Sequence, residues 1–209
     1  PADLHRAPPG SVAARDARVV DGLRYVRRRP DLIMVMTLVL VLGLLAFNFQ
    51  LTLAVLAKTV FHTGAEAFGL LTSALATGAL VGALVAGLRR ARPSVYAVLL
   101  AAILFAAFET LLGFAPTFLL ALVIAVPTGF FMIYFAQSAN QRVQLGVDPL
   151  FRGRVMALHV LTFFGTTPLG APIIGWTAEH LGARASIWLG GLAALAAALI
   201  VALVQFRLS

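Results

Sequence analysis

The chain contains no cysteine and few charges of either sign. Without cysteine there is no disulfide, no thiolate metal ligand and no cysteine nucleophile. Acidic residues number 8 and all charged residues together make up 11% of the 209 positions, too few to cover the surface of a water-soluble domain of this length. No glycine-rich loop precedes a lysine, which argues against nucleotide hydrolysis. His62 with Glu66, and Glu179 beside His180, form neither an HExxH helix nor another ligand set of the usual count. No metal and no cofactor is therefore expected, and the chain is read as non-enzymatic.

What fills the chain is apolar: 61% of residues are hydrophobic, and the mean hydropathy is +0.96. Runs of about 20 apolar residues recur, each long enough to cross about 30 Å of hydrocarbon. The breaks between them predict six helices, over about 32–57, 67–88, 94–114, 117–139, 155–177 and 185–206. Strands crossing lipid would alternate apolar with polar residues, and these runs do not. The fold class read here is an all-α membrane protein. Residues 1–30 form a basic linker and 31–207 a six-helix transmembrane bundle. The chain opens at Pro1 without a methionine, and its first apolar run lies behind an arginine-rich arm, unlike a cleaved signal peptide; a fragment of a longer protein is expected.

The 16 basic residues are placed unevenly. The arm holds Arg6, Arg15, Arg18, Arg24, Arg27, Arg28 and Arg29, the loop after the second span Arg89, Arg90 and Arg92, the loop after the fourth Arg142, Arg152 and Arg154, and the tail Arg207. Only Lys58 and Arg184 fall on the other side. By the positive-inside rule both ends of the segment are expected in the cytoplasm, with Arg89, Arg90, Arg142, Arg152 and Arg154 as anchors in the headgroup layer. Asp148 before Pro149 reads as an N-cap with proline at the first helical position. In the arm, Val19, Val20, Leu23 and Val26 recur at helical spacing among arginines, as in a helix lying on an anionic membrane face. No base-stacking aromatics are interleaved with the charges, so no nucleic acid is expected.

Small residues line two ridges, Ala74, Gly78, Gly82 and Ala86 in the second span and Gly190, Ala194 and Ala198 in the sixth, which suits close helix packing in lipid. Pro127 and Gly129 interrupt the fourth span, and GTTPLGAPIIG places two prolines and three glycines in the fifth. These are expected flexing points.

Two stretches carry a resemblance. LFRGRVMALHVLTFFGTTPLGAPIIGW resembles the eleventh helix, with its preceding loop, of the major facilitator superfamily, and DGLRYVRRRPDLIMVM resembles that family's central linker running into the seventh helix, as in its enterobactin-exporter-like branch. The resemblance covers residues 20–206 and only the second half of a twelve-helix transporter. Gly165, Pro168, Gly170, Pro172 and Gly175 look like a degenerate second-half copy of the antiporter glycine-proline motif. GLRRARPS sits where the family often repeats its Gly-x-Leu-x-Asp-Arg-x-Gly-Arg element, but lacks the aspartate of an Asp–Arg latch.

The resemblance implies that the first helix of each three-helix unit faces a central cavity. Asn48, Gln50 and Thr52 in the first span, and Gln137, Asn140 and Gln141 at the inner end of the fourth, are then the expected substrate pathway; an interhelical hydrogen bond and a helix end entering water are the alternatives. Glu109, the acid well inside a span, is a candidate for proton coupling, although its place near the outer end of a peripheral helix favours snorkelling to the interface. His159 is a second candidate, against a packing role. The resemblance further implies a secondary active transporter of a bacterial inner membrane, exporting small amphipathic molecules such as drugs, siderophores or metabolites by proton-driven alternating access. Its expected partners are the lipid bilayer, a small-molecule substrate, protons and an N-terminal six-helix half. The alternatives are a non-catalytic membrane scaffold, or a truncated transporter half that needs a partner.

Overall fold

The computed structural model describes residues 19–61 and 65–208, with side chains for all of these except 19–21, 50 and 208. Every regular element among them is an α-helix: α1 (Val19–Arg27), α2 (Pro30–Leu45), α3 (Phe49–Thr59), α4 (Ala65–Leu88), α5 (Val95–Phe114), α6 (Phe118–Gly146), α7 (Pro149–Leu181) and α8 (Ala183–Leu208). Their starts follow local chemistry. Ser94 and Thr117 accept hydrogen bonds from Ala97 N and Leu120 N, and Asp148 accepts from Leu150 N ahead of Pro149, as its sequence predicts. The α7–α8 joint turns on Gly182 at φ 92°, a conformation that a side chain would strain.

Helices α4 to α8 are each long and apolar enough to cross a membrane. The span expected over 32–57 is instead divided. The helix ends at Leu45 and restarts at Phe49, and the 16 residues of α2 reach about 24 Å at 1.5 Å per residue. Local hydrogen bonds explain how the break is tolerated. Ala46 N and Phe47 N both donate to Leu42 O, at 2.8 and 3.1 Å. Asn48, the N-cap of α3, turns its side-chain Nδ2 back to Leu44 O at 3.2 Å, and Thr52 Oγ1 donates to Asn48 O. An amide thus answers a carbonyl that the interrupted helix leaves free.

Conversely, the prolines do not end helices. α6 runs through Pro127, and α7 through Pro168 and Pro172. On the same stretches Thr128 donates to Ile124 O and Thr166 to Thr162 O, each within its own helix, and packed neighbours make proline tolerable inside a membrane helix. The helices are also longer than their apolar runs: the fourth continues past 139 to Gly146, and the fifth begins at Pro149 rather than 155.

The packing repeats itself. Taking α2/α3, α4 and α5 as one unit and α6, α7 and α8 as another, α4 packs on α6 as α7 packs on α2. Likewise α5 packs on α6 as α8 packs on α2 and α3, while α5 and α8 pack on each other. This is the exchange pattern of two inverted three-helix repeats. Glycines set the closeness. A Cβ added to Gly78 would overlap Val126 O, one on Gly129 would overlap Leu75 O, and one on Gly170 would overlap Leu44 O. The core is apolar, from Leu32, Leu38 and Leu42 to Phe105 and Phe135. Outside it, Leu80, Leu84, Leu161, Leu169, Leu203 and Phe206 are exposed, as a lipid-facing surface requires.

Candidate functional site

Between α6 and α7, which touch only lightly, lies a cavity of about 320 Å³. Ile133, Ala136, Gln137 and Asn140 of α6 line one wall; His159, Val160, Phe163 and Phe164 of α7 line the other. The spacing is helical on both sides: Ile133, Gln137 and Asn140 recur at intervals of four and three, as do His159, Phe163 and their neighbours. The walls are aromatic and aliphatic, with two amides and one imidazole, and carry no formal charge other than what the histidine can take up. His159 is buried and its Nδ1 has no hydrogen-bond partner. Such a site can hold an apolar or aromatic body and hydrogen-bond a polar substituent. Gln137, Asn140 and His159, separate candidates in the sequence, therefore meet in one place. The aromatic wall was not anticipated, although Phe163 and Phe164 share an apolar run with His159.

The other pathway candidates lie elsewhere. Gln141 turns away from the cavity and donates to Ala86 O, sealing α6 to the end of α4. Asn48 and Thr52 are buried and spend their polar atoms on the α2–α3 break. The side chain of Gln50 lies outside the described residues. Gly165 and Gly175 are loosely surrounded, whereas Gly170 is pressed against Leu44 O and the Asn48 amide. The proline-rich stretch of α7 is thus the socket for a break in its neighbour. Glu109 does not snorkel: it is 4% exposed, and its Oε2 is buried without a partner. Helix phase decides this, since Glu109 follows Phe105 by one turn on the core side of α5.

At the arginine-rich end one carboxylate gathers three guanidiniums. Asp31 stands ahead of the apolar run at the start of α2. Its oxygens lie 3.1 Å from Arg29 Nε, 2.9 Å from Arg92 Nη2 and 3.7 Å from Arg142 Nη2. Arg142 also donates to Pro93 O at 2.7 Å, Arg92 to Arg142 O, and Arg29 to Gly146 O. Arg142 is therefore buried and internally paired, not an anchor in the headgroup layer. Partial burial pushes the Asp31 carboxyl up, but hydrogen bonds from Arg29 and Arg92 and the nearby Arg142 outweigh it and hold it below the usual carboxylate range. The acid missing from GLRRARPS is supplied from α2. Nearby, Arg89 donates to the Tyr134 hydroxyl and Arg154 lies over the Phe151 ring at 5.4 Å, while Arg90 and Arg152 are exposed. α1 docks here too: Tyr25 stacks on Phe151 with centroids 4.7 Å apart, and Gly22 meets Arg154 and Leu158.

Long apolar helices packed as two exchanged three-helix units, with a largely apolar cavity between α6 and α7, make a multi-pass membrane protein. The chain belongs to the transmembrane secretion effector family of the major facilitator type, whose model matches residues 12–209. No curated protein and no solved structure matches it.

Proposed function

We propose that the chain is the second six-crossing half of a secondary transporter that exports small amphipathic molecules by alternating access, driven by the proton gradient. In this reading α2 and α3 together make one crossing, hinged at Ala46–Asn48, and the arginine-rich end faces the cytoplasm of a bacterial cell. An N-terminal six-helix half, in the same full-length chain or as a partner, completes the translocation path.

The cavity between α6 and α7 carries this reading. Its apolar and aromatic walls favour partition of a largely apolar molecule, and Gln137, Asn140 and His159 orient a polar group. No fixed charge has to be desolvated, which suits release as much as capture. Metabolites of high charge would leave uncompensated charge in such a site and are poor substrates.

The test is dye accumulation in cells that lack their own efflux pumps and express the complete gene product. Ethidium and N-phenyl-1-naphthylamine supply a cationic and an uncharged aromatic amphipath. Expression should lower steady-state accumulation of at least one, and Asn140→Leu with Gln137→Leu should restore it at equal membrane abundance. Equal accumulation of both dyes with and without the protein would overturn export of this class. Unchanged export in the double variant would move the pathway away from the cavity.

A further inference from the structure

We propose that the groove between α2 and α8 at the arginine-rich end holds an acyl chain of an anionic phospholipid, whose phosphate is taken by Arg27, Arg28 and Arg207. The site lies on the outer side of the bundle and does not depend on the transport reading above.

The groove is built by two antiparallel helix ends. Pro30, Ile33 and Thr37 at the start of α2 line one wall, and Ile200, Val201 and Val204 near the end of α8 line the other, around a cavity of about 310 Å³. Ile33, Ile200 and Val204 are 42%, 61% and 52% exposed, so the trough opens to the surface of the bundle and not into its core. From Pro30 to Thr37 the wall runs about 10 Å at 1.5 Å per residue. That length takes the upper part of an acyl chain and is too short to seat a membrane-crossing helix, which needs about 30 Å.

Guanidiniums stand at the mouth of this trough. Arg207 continues the ridge of Ile200 and Val204 in the last turn of α8, and at that spacing the Cβ atoms of Val204 and Arg207 are neighbours about 5–6 Å apart. On the other wall Arg28 precedes Pro30 by two residues, which holds their Cα atoms within about 7.6 Å. The corner is fixed, because Arg29 N donates to Val26 O at 2.9 Å and Ile33 N to Arg29 O at 3.0 Å. Arg27 and Arg28 line a hollow of about 360 Å³ together with Leu23 and Arg24. This is the side of α1 turned away from α7, since Gly22 and Tyr25 on the opposite side meet Arg154 and Phe151.

Charge decides what occupies the site. Asp31, next to Pro30, is already taken up by Arg29, Arg92 and Arg142. Among the described residues Arg27, Arg28 and Arg207 are exposed and pair with no carboxylate. The mouth therefore lacks an anion where the trough lacks a hydrocarbon chain, and an anionic phospholipid supplies both in one molecule. Its phosphate accepts forked hydrogen bonds from guanidinium groups. A zwitterionic lipid fits the trough equally well but brings an ammonium group to the same arginines, so selection falls on net charge.

The segment has no cysteine, so a single cysteine can report on the groove in the complete protein, with any cysteine outside the segment replaced by serine. Ala196→Cys sits one turn deeper than Ile200 on the same ridge, at an exposed position that leaves the groove itself unfilled. Leu80→Cys, at a residue 62% exposed on α4, reports on the outer surface elsewhere. Each is labelled with bimane, and the protein is reconstituted in phosphatidylcholine liposomes that contain a small, equal fraction of brominated-chain phosphatidylglycerol or brominated-chain phosphatidylcholine. The brominated phosphatidylglycerol should quench the Ala196→Cys label several-fold more than its phosphatidylcholine counterpart, and the Leu80→Cys label about equally. Arg27→Gln with Arg28→Gln and Arg207→Gln should bring the two lipids to parity at Ala196→Cys, whereas lysine at the same three positions should keep the preference. Equal quenching by both lipids in the parent, or an unchanged preference in the glutamine variant, overturns the proposal. So does a label that neither lipid quenches, which would mean that protein covers the groove. Loss of the preference in the lysine variant as well would make the arginines structural and overturn recognition by charge. Loss on adding inorganic phosphate at constant ionic strength would assign them to a free anion in place of a lipid.

Discussion

Asp31 shows how one side chain can organise an end of a membrane protein. Asp31→Asn removes the carboxylate from three guanidiniums and leaves Arg142, nine-tenths buried, beside Arg92 without it. Exposed pairs contribute up to about 1 kcal/mol and breaking a buried pair costs about 3–5 kcal/mol. With Asp31 about a quarter exposed, a loss of about 2 kcal/mol is expected, read as a lower unfolding temperature in detergent. The pH dependence has a definite sign. Because the folded carboxyl titrates below its unfolded value of about 4, its contribution is fully present above that value and disappears as pH falls through the folded one. Asp31→Asn should therefore flatten the acid limb of the stability curve, and an identical acid limb in both proteins would remove the junction from the account. The sequence showed the arginines but not this role, because Asp31 and Arg92 are separated by two crossings' worth of chain. The same limit applies to Glu109: its depth along α5 was legible, whereas the side it faces depended on how α5 is turned against its neighbours.

Among the elements, helices and their ends were the most legible feature, since apolar runs, Ser94, Thr117 and the Asp148–Pro149 pair speak locally. Continuity was not. Proline is the residue expected to interrupt a helix, yet α7 carries two without ending, while the first span stops where it has no proline and its glycine, Gly43, is already helical. What distinguishes the stop is tertiary: Gly170 of α7 and Gly190 of α8 present bare backbone to Leu44 O and Leu45 O, the last carbonyls of α2. Filling these sockets should be disruptive. Gly170→Ala, Gly78→Ala and Gly129→Ala each place a methyl group into a neighbouring backbone carbonyl, and overpacking of this kind costs about 1–3 kcal/mol. Gly87→Ala, with nothing within 4 Å of its added Cβ, should be neutral or slightly stabilising through helix propensity. Thermal unfolding of the four variants in one detergent checks the order; equal midpoints would mean that the seams can spread freely.

For the whole molecule, charge asymmetry between the two ends predicts sidedness, and the divided first span makes that prediction sharper. A reporter that folds only in the cytoplasm should be active when inserted after Arg90 or fused behind Ser209, and inactive when inserted after Phe61. Activity at all three positions would show that α2 and α3 do not together cross the bilayer. The bundle class was readable from composition and run length because lipid makes the same demand of every crossing segment. The cavity was only partly readable. Gln137 and Asn140 announce a polar stripe on one helix, but no local signal says that α7 brings His159 and two phenylalanines to face it.

The exchanged packing of the two units bears on how such a chain is made. Gly43 of α2 packs against Thr166 of α7, and Leu75 of α4 against Gly129 of α6, so the helices synthesised first find their tightest neighbours among those synthesised later. α4 must therefore wait in the bilayer for α6, and α2 for α7 and α8, with the end of α2 held in the meantime only by its own Asn48 amide on Leu44 O. Assembly is then a late event at the end of translation, and a chain stopped before Gly170 would present quality-control proteases with an open helix end in the middle of the membrane.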